Sequence, residues 1–220
     1  MLAEHPAFLW WIGGNSLTFT MIENEYAALR RYVGQFIDVT DEEWRLHEAA
    51  LRRRNLKKGE WLLKKGEVCQ HVSFINYGCF RIYNIAKGEE LTTNFSFEGN
   101  YITDYSSFLT QRPSAAYIIA LEDAEVMELH YNDMQVLYEK IPSWQKYGRL
   151  IAEFLYTKVV ERAQSLLFDS PEELYIRLMK ERPKVIENIP QRYIASYLGI
   201  QPESLSRIRK RMMIQDGKDL

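Results

Sequence analysis

The chain has 220 residues, 46% of them hydrophobic and 26% charged, a composition that suits one large or two modest folded domains. Its formal net charge of −2 argues against a protein that coats nucleic acid indiscriminately. Residues 141–220, however, carry 14 basic and 10 acidic residues, a net charge of +4, whereas residues 1–140 have a net charge of −6. This asymmetry is consistent with a local DNA-binding surface in the C-terminal part of the chain.

Several classes of protein are disfavoured by the sequence. Cys69 and Cys79 form neither a disulfide pattern nor a metal-ligand spacing, which favours a reducing, cytoplasmic compartment. The scattered histidines also lack ligand spacing: His5, His47, His71 and His130. No segment is suited to a signal peptide or a membrane span, and no catalytic motif is present. We therefore expect no enzymatic activity, no metal, no cofactor and no membrane association.

The N-terminal region is predicted to contain an extension followed by two helices. Residues 1–21 are expected to be a disordered tail, or an upstream segment from a start codon assigned too early. The helices are predicted over residues 23–34 and 41–52. Thr40 and Glu43 have the spacing of a capping box, which predicts the start of the second helix. The arginines at its end, residues 52–54, are interpreted as a solvated charged run.

Residues 55–129 change to short runs of β-forming residues interrupted by glycine. The glycines that mark the expected turns are Gly59, Gly66, Gly78, Gly88 and Gly99. Many short strands at this spacing predict a closed or rolled antiparallel sheet.

A long helix is predicted over residues 143–168, where Gly148 alone interrupts a helical pattern. A mainly apolar seam follows one side of it: Trp144, Tyr147, Ile151, Phe154, Leu155 and Lys158. This seam could bind a second copy of the helix or pack on its own domain, since so short a pattern does not prove a coiled coil. Ser170 then begins another helix, which ends before Pro183, so a domain boundary is predicted between residues 168 and 170.

Residues 189–212 have the pattern of two short helices joined by a sharp turn. Gly199 lies where the first helix must end and the backbone often needs a positive φ. Pro202 and Glu203 suit the first turn of the second helix. The polar face of that helix predicts DNA contacts by Gln201, Glu203, Ser204, Arg207, Arg209, Lys210 and Arg211. The alternative is an amphipathic helix pair with a solvated basic face.

Over residues 22–212 the chain resembles the Crp/Fnr family of bacterial transcription regulators. The family's recognition-helix motif, Ser-Arg-Glu-Thr-Val-Gly-Arg, corresponds here to residues 201–207, where Glu203 and Arg207 are retained and Pro202 replaces the first arginine. The resemblance implies an α+β protein with a jelly-roll-like antiparallel β-roll over 22–142, a dimerisation helix over 143–168 and a helix-turn-helix domain over 169–220. It also implies double-stranded DNA, a second copy of the chain, RNA polymerase and an effector as partners.

The phosphate-binding cassette of the family departs from its pattern in this chain. Thr103 and Asp104 stand where the family's cyclic-nucleotide binders have glycine and glutamate, and Ser114 replaces the arginine that pairs with the phosphate. Losing that arginine removes a charge-assisted contact, so cyclic AMP binding is not expected. A pocket for another polar metabolite is predicted from Asp104, Ser106, Ser107, Arg112, Ser114 and Tyr117. An empty, vestigial pocket is the alternative.

The sequence therefore predicts a dimeric DNA-binding transcription regulator that senses an unknown signal. One alternative is a cupin-like enzyme, which would need metal-binding histidines and carboxylates on neighbouring strands. Another is a small-molecule-binding module with a vestigial DNA-binding domain. The dependence of DNA affinity on salt would distinguish this module from a regulator, because contacts with phosphates make affinity fall steeply as salt rises.

Overall fold

The computed structural model describes residues 26–216, and the side chains of residues 26–213. Within this range eight strands form two four-stranded sheets, one in the order β1-β8-β3-β6 and the other in the order β2-β7-β4-β5. The strands are β1 Leu51–Leu56, β2 Trp61–Leu63, β3 His71–Tyr77, β4 Cys79–Ala86, β5 Glu89–Phe97, β6 Tyr101–Ile102, β7 Ala116–Ala120 and β8 Ala124–His130. The pairs β1–β8, β3–β8, β3–β6, β2–β7 and β4–β7 are all antiparallel, as predicted.

The described residues also include nine α-helices. They are α1 Ala27–Gly34, α2 Asp41–Ala50, α3 Tyr105–Thr110, α4 Tyr131–Lys140, α5 Pro142–Phe168, α6 Pro171–Glu181, α7 Pro183–Asn188, α8 Gln191–Leu198 and α9 Pro202–Asp216. The capping box predicted at Thr40 and Glu43 is confirmed, and Ser170 and Glu173 form a second one. The predicted extension over 1–21, and the first residues of the helix expected over 23–34, lie outside the described residues.

The arginines at residues 52–54 belong to strand β1 rather than to the end of the preceding helix. Arg52 and Arg53 are exposed, as expected of a solvated run, whereas Arg54 is half-buried. Helix α2 ends at Ala50, and Leu51 already has extended backbone angles. Arg54 donates from Nη1 to the Glu128 carboxylate at 3.4 Å and from Nη2 to the Trp61 carbonyl at 3.2 Å. Pairing with β8 thus places an arginine where it can balance a buried carboxylate.

Alternation along the strands supplies the core of the β-roll. Phe80 of β4 lies opposite Ala120 of β7 in the apolar core. Ile82 lies opposite Ile118 and packs against that core. The glycine at the end of β3 is required by packing as well as by its φ of +102°. A Cβ at Gly78 would lie 2.5 Å from the Cβ of Ala124, too close for two carbon atoms.

The described residues separate into two compact units. One contains residues 26–85 and 93–155, and the other contains residues 86–92 and 156–216. Helix α5 contributes residues to both units. None of the helices in the described part of the chain is long and apolar enough to cross a membrane.

A buried histidine lies among aromatic rings in the first unit. The His47 ring centroid is 5.1 Å from that of Trp44 and 4.7 Å from that of Trp144, and the residue is 4% exposed. Its Nδ1 atom has no hydrogen-bond partner within the described residues. Burial lowers the pKa of His47 from 6.5 to about 4, because a charged imidazolium would be poorly solvated there.

The His47 environment predicts a specific loss of stability in mild acid. Between pH 6.5 and 4 the unfolded chain binds a proton at His47 that the folded chain does not, so stability decreases as pH falls through this range. We expect the titration of His47 alone to make the free energy of unfolding about 2 kcal/mol lower at pH 5.0 than at pH 7.5. Urea denaturation at both pH values measures the difference.

The variant His47→Phe tests the assignment, because phenylalanine preserves an aromatic ring and cannot titrate. Its loss of stability between pH 7.5 and 5.0 should be smaller than that of the wild type by about 2 kcal/mol. An equal loss in the two proteins would show that other groups cause the acid sensitivity.

Candidate functional site

Helices α8 and α9 are joined by a sharp turn of three residues, as predicted. Gly199 has a φ of 70°, in the left-handed region that favours glycine. The Ile200 amide donates to the carbonyl of Ala195 at 3.0 Å, so the helix ends in a Schellman-type arrangement. Helix α9 begins directly afterwards, since the Leu205 amide donates to the Gln201 carbonyl at 3.2 Å.

The two helices pack through apolar residues at helical spacing. Ile194, Ala195 and Leu198 of α8 are buried, as are Leu205 and Ile208 of α9. These side chains fix one face of α9 against α8, and the opposite face remains exposed.

The exposed face of α9 brings together some of the residues predicted to contact DNA. Glu203, Arg207 and Lys210 are exposed at helical spacing, together with Ser206, which the sequence analysis missed. The Arg207 side chain lies along its own helix, 3.4 Å from the Ser204 hydroxyl, and its charge remains accessible. This face therefore combines two cations with groups that can form hydrogen bonds.

The remaining predicted DNA contacts lie in different environments. Gln201 is exposed at the start of α9, whereas Ser204 and Arg209 are half-buried at the border of the exposed face. Arg211 forms an ion pair with Glu172 of α6 at 3.1 Å, so it joins two helices of the protein. Arg192, which the sequence analysis did not select, is exposed on α8, with its guanidinium 4.6 Å from the centre of the Tyr193 ring.

Three residues of the predicted sensor pocket meet at the start of helix α3. Asp104 caps the helix, accepting a hydrogen bond from the Ser107 amide at 3.2 Å. The Ser114 hydroxyl donates to the same carboxylate at 2.6 Å and accepts from the Ala116 amide at 2.9 Å. The cassette is thus closed by its own side chains, and the Asp104 carboxylate would repel a phosphate there.

The side chains of the other three predicted pocket residues take no part in this closed cassette, and only the Arg112 carbonyl contacts it, accepting a hydrogen bond from the Ser107 hydroxyl. Ser106 and Arg112 are exposed. Pro113 pairs with Val68, which holds the chain next to Arg112. Tyr117 stacks on Tyr83 with ring centroids 5.0 Å apart, on the face of β7 opposite the core residues Ala116 and Ile118. The six residues consequently do not form one pocket.

A cavity of about 210 Å³ lies next to the cassette and was missed by the sequence analysis. Its apolar walls are Leu62, Leu63, Val68, Ile102 and Ile118, and its polar walls are Glu67, Cys69, Gln70, His71, Ser73, Thr103 and Glu128. Cys69 connects the cavity to the cassette, because its amide donates to the Ser107 hydroxyl at 3.0 Å. These residues come from several distant segments, so no local motif could have revealed them.

The rings of His71 and His130 lie 5.0 Å apart on paired strands. Burial is the largest cause that lowers the pKa of His71, and the Glu128 carboxylate opposes it. Within residues 26–216, no group of three or more histidine, cysteine or carboxylate side chains is arranged to hold a metal ion.

The arrangement of strands and cassette agrees with a known domain family. Residues 53–140 match the family model described as the cyclic nucleotide-binding domain. These residues form a domain of the cyclic nucleotide-binding type. The match covers the β-roll, including strands whose inward residues form the core.

Solved structures with the same fold include three bacterial proteins. The catabolite activator protein of Thermus thermophilus is 22% identical, with a TM-score of 0.53, over 82% of this chain and 87% of that chain. FixK2 from Bradyrhizobium japonicum is 16% identical, with a TM-score of 0.63, over 76% and 86% of the two chains. The c-di-GMP-responsive regulator CLP from Xanthomonas campestris is 14% identical, with a TM-score of 0.62, over 80% and 93%.

At these identities the similarity shows the fold alone. A search among proteins of curated function found no significant match. The predicted antiparallel β-roll with additional helices is confirmed at the level of this fold.

The closed cassette predicts that cyclic AMP does not stabilise the cyclic nucleotide-binding-type domain. A ligand that binds the folded state at 100 times its dissociation constant would add about 2.7 kcal/mol to the free energy of unfolding. We expect no change in the melting temperature at millimolar cyclic AMP, measured by differential scanning fluorimetry. A rise of several degrees that saturates with concentration would contradict the repulsion argued from Asp104.

Proposed function

We propose that the chain is a DNA-binding transcription regulator of the Crp/Fnr type, whose β-roll senses a signal other than a cyclic nucleotide. The observation that carries this proposal is the α8–Gly199–α9 arrangement, which buries one face of α9 and leaves Arg207 and Lys210 exposed on the other. A basic helix held in this way has the geometry of a recognition helix in the major groove.

The exposed residues of α9 suggest how the contacts divide between bases and phosphates. Arg207 lies within the first two turns of the helix, where side chains of a recognition helix reach base edges. Its guanidinium can donate two hydrogen bonds to a guanine. Lys210 lies one turn further along and suits a phosphate, for which a mobile point charge suffices. Because Pro202 replaces an arginine of the family motif, the preferred site should differ from the family's usual operator.

The cavity beside the cassette is the proposed effector site. Its polar walls include the carboxylates of Glu67 and Glu128, and the Asp104 carboxylate lies in the adjoining cassette. Arg54 offsets part of this negative charge through its contact with Glu128. The surroundings therefore favour a small neutral or cationic molecule over an anionic one.

A second copy of the chain is proposed to bind along the C-terminal half of α5. Tyr156 and Val159 are 71% and 66% exposed, and Leu166 is 49% exposed one helical repeat further along. With the exposed Ala163 they follow the alternating three-and-four spacing of a coiled-coil seam. Leu167, which is 77% exposed, borders this seam.

The seam suggested by the sequence does not coincide with this exposed stripe. Trp144 is 3% exposed and stacks near His47, while the Tyr147 hydroxyl lies 3.4 Å from that of Tyr101 in the core of the same chain. Lys158 is also engaged within the chain, since its Nζ lies 2.7 Å from Glu161. Ile151, Phe154 and Leu155 are half-buried. Helical periodicity identified an apolar face, but the protein's own core uses the N-terminal part of it.

The dimer is tested with Val159→Glu, which places a charge in the centre of the exposed stripe. Burying two like charges near a two-fold axis should raise the dimer dissociation constant by at least about 100-fold. Light scattering coupled to size-exclusion chromatography measures the mass at several concentrations. Gln164→Glu adds the same charge about 100° around the helix from Ala163 and should remain dimeric. If the two variants have equal masses at every concentration, the exposed stripe of α5 is not the dimer interface.

DNA binding is tested by selecting sites from a random DNA pool with purified protein, without ligand and then with cyclic AMP. We expect a palindromic site with half-sites about 34 Å apart, in both conditions. Failure to enrich any site in either condition would contradict DNA binding without an effector.

On the selected site, Arg207→Ala should weaken binding by about 1 to 3 kcal/mol and relax the preference at one base pair. Lys210→Ala should weaken specific and random DNA alike and reduce the salt dependence by about one phosphate contact. Competition binding on both DNA types at several salt concentrations separates the two effects. An equal loss on both DNA types for Arg207→Ala would reassign it to a phosphate contact.

A further inference from the structure

The hydroxyl group of Ser196 on α8 forms two hydrogen bonds with the tip of the β4–β5 hairpin, one as donor and one as acceptor. This tip, residues 86–92, belongs to the same compact unit as residues 156–216. Ser196 Oγ donates to the Glu90 carbonyl at 2.9 Å and accepts from the Thr92 amide, also at 2.9 Å. Both partners are main-chain groups more than 100 residues away, so the contact is independent of the hairpin's side chains.

Among the strands that the structure describes, β5 is the last strand of its sheet. In an extended strand, the carbonyl of one residue and the amide two residues later point to the same side. Ser196 satisfies both groups with one hydroxyl, as a neighbouring strand would, and so attaches α8 to the strand edge.

The next residue of α8 is attached to a different element. Arg162 of α5 donates to the Tyr197 carbonyl, and its guanidinium lies 4.1 Å from the centre of the Tyr197 ring. Arg182 approaches the same ring at 5.8 Å. Successive residues of α8 therefore bind the hairpin tip and the long helix, while Gly199 connects α8 to α9.

We propose that Ser196 is a positioning residue that makes the hairpin tip and the α8–α9 pair move as one body. A signal that shifts the hairpin would then reorient α9 through two hydrogen bonds to the backbone. The consequence for DNA rests on the proposed function, whereas the attachment itself does not.

Amide hydrogen exchange of the full-length protein, without DNA, tests the attachment. Ser196→Ala removes both hydrogen bonds and should not weaken α8, since alanine has the higher helix propensity. Exchange at the Thr92 amide should accelerate by about tenfold, the equivalent of one hydrogen bond. Ser196→Thr retains a hydroxyl and should restore protection, and Ser206→Ala on the exposed face of α9 should leave Thr92 unchanged.

Binding to the selected DNA site provides the second measurement. A less restrained α8–α9 pair should lower the affinity of Ser196→Ala by about three- to tenfold, with an unchanged salt slope because the phosphate contacts remain. Unchanged exchange at Thr92, or faster exchange without loss of affinity, would overturn the positioning role. If the wild type binds no DNA, the proposed function fails, and the exchange data still decide whether Ser196 holds the hairpin tip.

Discussion

The pairing of β3 with β8 is the constraint on which the rest of the first unit depends. β8 lies between β1 and β3, and its register with β3 places Ile75 opposite Val126 and Phe74 opposite Met127. Alternation then directs adjacent residues to opposite faces of the sheet. The edge-on contact between Phe74 and Tyr32 of α1 shows that helices cover one face, which leaves the other face for the interior of the roll. One register therefore supports both the helical layer and the β-roll, since a shift by one residue would exchange the two faces.

The fold is shared with cyclic nucleotide-binding domains, but the local chemistry of the cassette is different. In this chain a carboxylate and a hydroxyl form a hydrogen bond with each other at the positions where the sequence resemblance implies the family's phosphate-binding cassette. A backbone framework can be retained while its ligand changes, because the strands are held by main-chain hydrogen bonds and the ligand is selected by a few side chains. The acidic cavity next to the cassette is consistent with this separation of framework and specificity.

Helix α8 fixes the arrangement of the second unit, as the pairing of β3 with β8 does in the first. Its apolar face packs on α9, its Ser196 hydroxyl binds the hairpin tip, and the carbonyl and ring of Tyr197 bind Arg162. A helix with contacts on three sides has little freedom to move independently of them. The position of α9, and with it that of Arg207, thus depends on contacts made by the helix before it.

The sequence by itself determined the features that depend on neighbouring residues. The capping box of Thr40 and Glu43 and the turn at Gly199 were predictable because their hydrogen bonds join residues at most five positions apart. The tertiary structure decided which faces are covered. Helical spacing found the apolar seam that begins at Trp144, but the protein's own core occupies that residue and leaves Val159 exposed. The bond between Ser114 and Asp104 and the contact of Ser196 with the hairpin were equally inaccessible, since they join segments that only long-range packing brings together.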